Sequence, residues 1–182
     1  MLRKSRALFT IGAVLAFGAG RSGWAQTQDT GHSHHSAGSG AETSKSPLAW
    51  DAGTKTVTFA LSAGVFNFNG YTSGRATLTV PSKSNVVMNF SQDDGTPHSA
   101  VIIEDKDPMP TMADQPAIPR AYTNKASEGL PQGATDVIRF TAPDSGSYRI
   151  FCGVPGHGLS GMWIRFKVDP AAKEPRWDTE KQ

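Results

Sequence analysis

The chain has only one cysteine among its 182 residues, so it cannot form a disulfide within itself. It also lacks an apolar run of the roughly 20 residues that a standard transmembrane helix needs, and its most apolar segment, residues 7–20, has 14 residues. The formal net charge is +2 and no cluster of basic residues follows an aromatic or amphipathic pattern. These absences exclude a disulfide-stabilised scaffold and a polytopic membrane protein, and they give no support to nucleic-acid binding.

The first 25 residues have the features of a secretory signal peptide. A basic start, MLRKSR, precedes the apolar segment, and the small residues Gly23 and Ala25 occupy the −3 and −1 positions of a cleavage site. We expect cleavage after Ala25 and export to the periplasm or another extracytoplasmic compartment. The alternative is an uncleaved segment that tethers the protein to the membrane, although Arg21 interrupts the apolar run early.

Residues 26–47 form a polar segment rich in glycine, serine and histidine, which is typical of a flexible linker. The segment contains His32, His34 and His35. We interpret these histidines as incidental to a solvated linker, with weak copper scavenging as the alternative.

The remaining chain predicts an all-β fold. The full chain contains 19 glycines and 12 prolines, which suit a loop-rich β protein, and no segment after residue 47 has a strong amphipathic helical pattern. We expect a Greek-key β-sandwich of two sheets and about eight strands over residues 48–170, an irregular excursion over 106–135, and a mobile charged tail over 171–182. The predicted strands are residues 55–61, 66–71, 76–80, 85–90, 99–103, 136–140, 146–151 and 162–168.

The lone cysteine lies in the stretch FCGVPGHGLSGM, where Cys152, His157 and Met162 follow one another at intervals of five residues. An unpaired thiol in an exported protein is expected to be buried, joined to another chain or held by a metal. One thiolate, two imidazoles and a weak axial thioether form a type 1, or blue, copper site. Outside the linker, His98 is the one further histidine that could supply the second imidazole.

Each of these residues also has an ordinary structural explanation. Cys152 and Met162 could be packing residues, and His98 could be a hydrogen-bonded histidine at the end of a strand. A Cys–His hydrolase built on Cys152 and His157 would leave the other two residues unexplained. A multicopper oxidase or copper nitrite reductase would need more histidines than the folded region contains. The joint pattern favours one mononuclear copper site, which Trp163 and Phe151 are expected to shield from water.

Residues 152–163, CGVPGHGLSGMW, closely resemble the copper loop of the sulfocyanin family of cupredoxins. The segments 66–70 and 97–99 fit upstream motifs of the family, and rusticyanins share the long Cys-to-His spacing. The resemblance covers roughly residues 50–169 and implies a cupredoxin-like Greek-key β-sandwich with one type 1 copper per chain. The copper ligands that it implies are His98, Cys152, His157 and Met162.

The same resemblance implies a non-enzymatic, exported electron carrier. It would shuttle single electrons between respiratory redox partners such as a cytochrome or a terminal oxidase, and we expect it to act as a monomer. Ser99 follows the first ligand and is expected to tie the two ligand loops together. The alternative is a periplasmic copper-binding or copper-delivery protein on the same fold, assisted by Met109, Met112 and the histidines of the linker.

Overall fold

The computed structural model describes residues 46–180, which form ten strands in two sheets and contain no helix. Within this part of the chain there is accordingly no helix long and apolar enough to span a membrane. The expected signal peptide and nearly all of the expected linker, including its three histidines, lie outside the described residues. The strands are β1 (Leu48–Asp51), β2 (Thr56–Gly64), β3 (Asn67–Phe68), β4 (Ala76–Pro81), β5 (Asn85–Gln92), β6 (Val101–Glu104), β7 (Thr135–Thr141), β8 (Gly146–Phe151), β9 (Trp163–Asp169) and β10 (Arg176–Thr179).

The two sheets pair strands that are distant in sequence. The first sheet has the order β1-β2-β5-β7, with β3 added at the end of β2, and the second has the order β10-β4-β9-β8-β6. β2 pairs in parallel with β5, and β4 pairs in parallel with β9, because the chain crosses between the sheets before it returns. This architecture confirms the predicted all-β sandwich.

Alternation along the strands builds the core between the sheets. On β2 the side chains of Val57, Phe59 and Leu61 are fully buried, while the residues between them are more exposed. Burial of one such side chain contributes about 1.5–3 kcal/mol to folding. The packed core therefore gives rigid support to the loops that leave the strands, including those that carry His98 and Cys152.

The segment over residues 106–135 is irregular, as predicted, and it is bonded along β6. Ala117 donates its backbone N–H to the carbonyl of Ile102, and Ile102 donates to Ala121. Just before this strand, Thr123 donates to the carbonyl of Ala100. These hydrogen bonds hold the excursion against the sheet beside the Cys152 loop.

The prediction of a mobile charged tail is wrong for residues 176–179. They form β10, which pairs antiparallel with β4 from Ala76 to Thr79. The ring of Trp177 lies 4.9 Å from that of Phe59 and 5.9 Å from that of Tyr71, measured between centroids. In the sequence RWDT, Trp177 is the one apolar residue among three polar ones. The alternation of apolar and polar residues that indicates a strand was therefore not recognisable.

Candidate metal centre

Three of the four predicted ligands meet at one end of the sandwich. The Nδ1 atoms of His98 and His157 are 3.1 Å apart. The Sγ atom of Cys152 lies 3.5 Å from Nδ1 of His157 and 3.9 Å from Nδ1 of His98. Cys152 and His98 are fully buried, whereas His157 is partly exposed. A group of this kind, with one donor atom from each residue within 4.8 Å of the others, could hold a metal ion.

Met162, the fourth predicted ligand, lies at the end of the loop that carries Cys152 and His157. Its side chain is fully buried. Its carbonyl accepts a hydrogen bond from the backbone N–H of Cys152 (3.0 Å), and its own N–H donates to the carbonyl of His157 (3.1 Å). The backbone therefore holds the thioether residue in fixed relation to the thiol and the exposed imidazole.

Ser99 links both ligand-bearing segments to the excursion. Its hydroxyl donates to the carbonyl of Ala126 (2.6 Å) and accepts from the backbone N–H of Gly153 (3.0 Å). These bonds join the residue after His98 to the residue after Cys152. The geometry agrees with the tying role expected for this serine.

Two glycines on the loop are required by close approach. A Cβ at Gly153 would lie 2.1 Å from the carbonyl oxygen of Ala113 and 2.6 Å from that of Ala126. A Cβ at Gly158 would lie 1.9 Å from the ring of Phe151. Phe151 therefore supports the loop from beneath, and the excursion packs directly on the residue that follows Cys152.

Phe66 is the aromatic residue that contacts both imidazoles. Its ring centroid lies 4.9 Å from that of His157 and 6.0 Å from that of His98, both in edge-on geometry. The backbone of Phe66 has φ of 50°, which costs a non-glycine residue about 1–2 kcal/mol. Phe151 and Trp163, the rings expected to shield the site, pack in a separate cluster beneath the excursion. The motif FNFNG at residues 66–70 was recognised in the sequence as a family motif. The sequence did not show that its first ring, that of Phe66, faces the site.

Asp94 is a functional candidate that the sequence reasoning missed. Its Oδ2 atom lies 2.9 Å from Nε2 of His98, and the Asp94 side chain is 15% exposed. The hydrogen bond from His98 holds the pKa of this carboxyl below its usual value. Its position four residues before His98 was the available signal.

The surroundings of Cys152 and His157 favour the uncharged form of both side chains. Burial raises the pKa of the Cys152 thiol, although hydrogen bonds from Ser99 and Val154 oppose the shift. Burial and the nearby His98 lower the pKa of His157, and Asp94 opposes this. A neutral imidazole is the metal-binding form, and a metal ion releases the proton of a thiol when it binds.

The donor set fits copper. Thiolate and thioether sulfur suit Cu(I), imidazole nitrogen suits both copper oxidation states, and a His₂Cys set with a distant methionine is the type 1 arrangement. Three such donors converge here at a buried position with no carboxylate among them. A hard cation such as Mg²⁺ or Ca²⁺ would require oxygen ligands instead.

Comparison with known proteins identifies the family. Residues 43–176, most of the chain, match the family model described as the sulfocyanin (SoxE) domain. Sulfocyanin from Sulfolobus acidocaldarius is 29% identical over 105 residues, which cover 54% of this chain and 53% of that protein. The match therefore spans about half of the length of this curated relative.

Two solved structures are also similar to this chain. Auracyanin A, a "blue" copper protein from Chloroflexus aurantiacus, is 23% identical, with a TM-score of 0.47, over 63% of this chain and 99% of that one. Rusticyanin from Thiobacillus ferrooxidans is 24% identical, with a TM-score of 0.46, over 69% of this chain and 88% of that one.

Cupredoxins bind one type 1 copper ion and carry electrons, and they are not enzymes, which agrees with the expectation from the sequence. The ten-stranded sandwich is the cupredoxin-like fold, and the cluster at its end has the composition that this cofactor requires. The family match over residues 43–176 adds the sequence evidence. The chain therefore belongs to the sulfocyanin family of cupredoxins.

Proposed function

We propose that this protein is an exported blue copper protein that passes single electrons between respiratory redox partners of the cytochrome or terminal-oxidase type. The convergence of Cys152 Sγ with the Nδ1 atoms of His98 and His157 is the observation that carries the proposal. These three residues would hold the copper, and Met162 would be the weak axial ligand. When bound, copper supplies one-electron redox chemistry. The signal-like residues 1–25 support the export, and we expect the carrier to act as a monomer.

The residues around the ligands support fast electron transfer because their positions are fixed in advance. Ser99 bonds one ligand segment to the other, and the backbone bonds of Met162 close the loop. All of the buried side-chain nitrogen and oxygen atoms in residues 46–180 have hydrogen-bond partners. A site held in this way changes oxidation state with little movement of its ligands, which lowers the cost of each electron transfer.

The exposure of the two imidazoles indicates where electrons would enter and leave. His98 is fully buried, whereas part of His157 reaches the surface. Exposed apolar side chains lie on the His157 loop and on two segments that contact it, namely Leu159 (50% exposed), Val65 (68%) and Met112 (40%). Apolar surface of this kind is typical of a docking site. We therefore place the contact with redox partners at the edge of His157.

A copper-binding or copper-delivery protein on the same fold is the alternative. An exposed Met112 is consistent with it, since thioethers bind Cu(I). Met109, by contrast, packs against the cluster that contains Phe151. A carrier must cycle reversibly between Cu(II) and Cu(I) at fixed copper content, whereas a delivery protein must release Cu(I) to an acceptor.

Substitution of the thiol tests the proposal directly. We expect the copper-loaded protein to show an intense visible thiolate-to-copper band and the EPR spectrum of a type 1 site, with reversible voltammetry. Cys152→Ser should abolish the band because the charge-transfer donor is lost. Ser160→Ala is the matched control on the same loop, since Ser160 is exposed and its hydroxyl bonds only the nearby Gly156 carbonyl.

A colourless wild-type protein that takes up Cu(I) alone would contradict electron transfer and favour copper delivery. An unchanged spectrum and copper content in Cys152→Ser would refute the site itself.

A further inference from the structure

A carboxylate contacts the ring nitrogen of His98 that faces away from Cys152. The Nε2 atom of His98 is 2.9 Å from Oδ2 of Asp94, while Nδ1 of the same ring faces the thiol and the second imidazole. The His98 side chain is fully buried and that of Asp94 is 15% exposed. The contact between Asp94 and His98 is therefore largely shielded from water. The negative charge of the carboxylate acts on the imidazole with little screening.

The position of Asp94 is fixed by a buried amide at the end of β5. The side chain of Gln92 is fully buried and accepts a hydrogen bond from the backbone N–H of Asp94 (3.0 Å). The same amide donates to the carbonyls of Asp94 (2.8 Å) and Thr96 (2.6 Å). The turn between β5 and His98 is thus built around Gln92, which holds the Asp94 carboxylate against the imidazole.

The contact determines which nitrogen of His98 carries the proton. An ionised carboxylate only accepts hydrogen bonds, so Nε2 must be the donor. In a neutral imidazole Nδ1 is then unprotonated, and its lone pair points towards Cys152 and His157. Without the carboxylate, a proton on buried Nε2 would have no acceptor, at a cost of about 1–3 kcal/mol. The proton would then be better placed on Nδ1, where it can bond to His157.

We infer that Asp94 is the positioning residue of the copper site, orienting His98 with its metal-binding lone pair inward and favouring Cu(II) over Cu(I) through its charge. The inference rests on the proposed copper ligation by His98. A carboxylate behind a ligating histidine raises the basicity of that ligand. The more basic ligand stabilises Cu(II) more than Cu(I), because Cu(II) has the higher charge. Asp94 therefore lowers the reduction potential of the bound copper.

Two substitutions at Asp94 separate its charge from its hydrogen bond. Asp94→Asn removes the charge and keeps an acceptor oxygen, whereas Asp94→Ala removes both. Asp93→Asn is the matched control, because it makes the same change of charge one residue earlier. Asp93 is exposed and contacts Ser91 rather than a histidine.

Copper affinities test the effect of charge. Chelator competition with Cu(II) and with Cu(I) should show that Asp94→Ala loses about 10–100-fold in Cu(II) affinity, with a smaller loss for Cu(I). Asp94→Asn should lie between this variant and the wild type, and Asp93→Asn should match the wild type. Voltammetry should show a higher reduction potential in both Asp94 variants.

Nitrogen-15 NMR of the histidine rings tests the orientation without any copper. The metal-free wild type and Asp94→Asn should both carry the His98 proton on Nε2, and Asp94→Ala should shift it towards Nδ1. If Asp94→Ala does not fold, Asp94→Asn still decides the effect of charge.

The inference is overturned if both Asp94 variants match Asp93→Asn in the ratio of Cu(II) to Cu(I) affinity and keep the proton on Nε2. A wild-type protein without a type 1 spectrum would instead refute the proposed function, and the NMR result would still decide whether Asp94 orients His98.

Discussion

The two ends of the sandwich are built in different ways. At the copper end, several polar side chains are buried and hydrogen-bonded, and Ser99 joins two other segments through Ala126 and Gly153. At the opposite end, the turns that flank β5 and β8 meet through Lys83 and Asp144. Their ion pair spans 3.1 Å, with side chains that are 75% and 79% exposed.

This difference separates sites where stability and function are coupled from sites where they are independent. A buried polar group that loses its partner cannot form a replacement hydrogen bond with water. Its loss therefore lowers the stability of the fold and disturbs the ligands that the group positions. An exposed group exchanges one partner for solvent at little cost. Substitutions of buried polar residues at the copper end should therefore affect both unfolding and copper, and substitutions of exposed charged residues at the far end should affect neither strongly.

Gly153→Ala should have the largest effect on both properties. The added methyl group cannot fit against the carbonyls of Ala113 and Ala126, and we expect the free energy of unfolding to fall by about 3 kcal/mol. Because Cys152 is the preceding residue, the EPR spectrum of the copper should change as well. Gly95→Ala is the control, since a Cβ there meets nothing within 4 Å. Equal urea unfolding curves for the two variants would contradict the close packing of the excursion.

Ser99→Ala should have the next largest effect. It leaves the N–H of Gly153 and the carbonyl of Ala126 without their partner in a buried position, which should lower the free energy of unfolding by about 1–2 kcal/mol. The reorganisation energy should rise because the two ligand segments are no longer tied, and electron self-exchange measured by NMR should slow. A variant as stable as wild type, with unchanged self-exchange, would show that the tie is dispensable.

Lys83→Ala should have the smallest effect. The pair with Asp144 is exposed, so the free energy of unfolding should fall by less than about 1 kcal/mol, and less at high salt. A double-mutant cycle with Asp144→Ala measures the coupling. The copper spectrum and potential should not change, and a shift in either would show that the two ends communicate through the sheets.

The sequence predicts most of the sandwich because alternation and turn residues act locally. Val57, Phe59 and Leu61 alternate with polar residues, and this pattern directly specifies one buried face. The spacing of Cys152, His157 and Met162 is equally local, so the sequence alone assigns all three to one loop.

The contacts that the sequence did not reveal depend on the conformation of turns. Asp94 meets His98 because the buried amide of Gln92 shapes the intervening turn. The ring of Phe66 meets both imidazoles through a backbone conformation with positive φ that bulky residues rarely adopt. Neither turn has a periodic signature, and for that reason residue spacing alone could not place these two side chains beside the proposed copper ligands.

The pairing of β10 with β4 has a consequence for self-association. A strand at the margin of a sheet displays unpaired N–H and C=O groups that can template pairing with another chain. β10 occupies that position on β4, and the backbone bonds of the excursion occupy it on β6. The outermost strand now carries Arg176 and Asp178, whose charges discourage a further strand from adding. We therefore expect the charges that made this strand hard to recognise in the sequence to disfavour pairing of this edge with another chain.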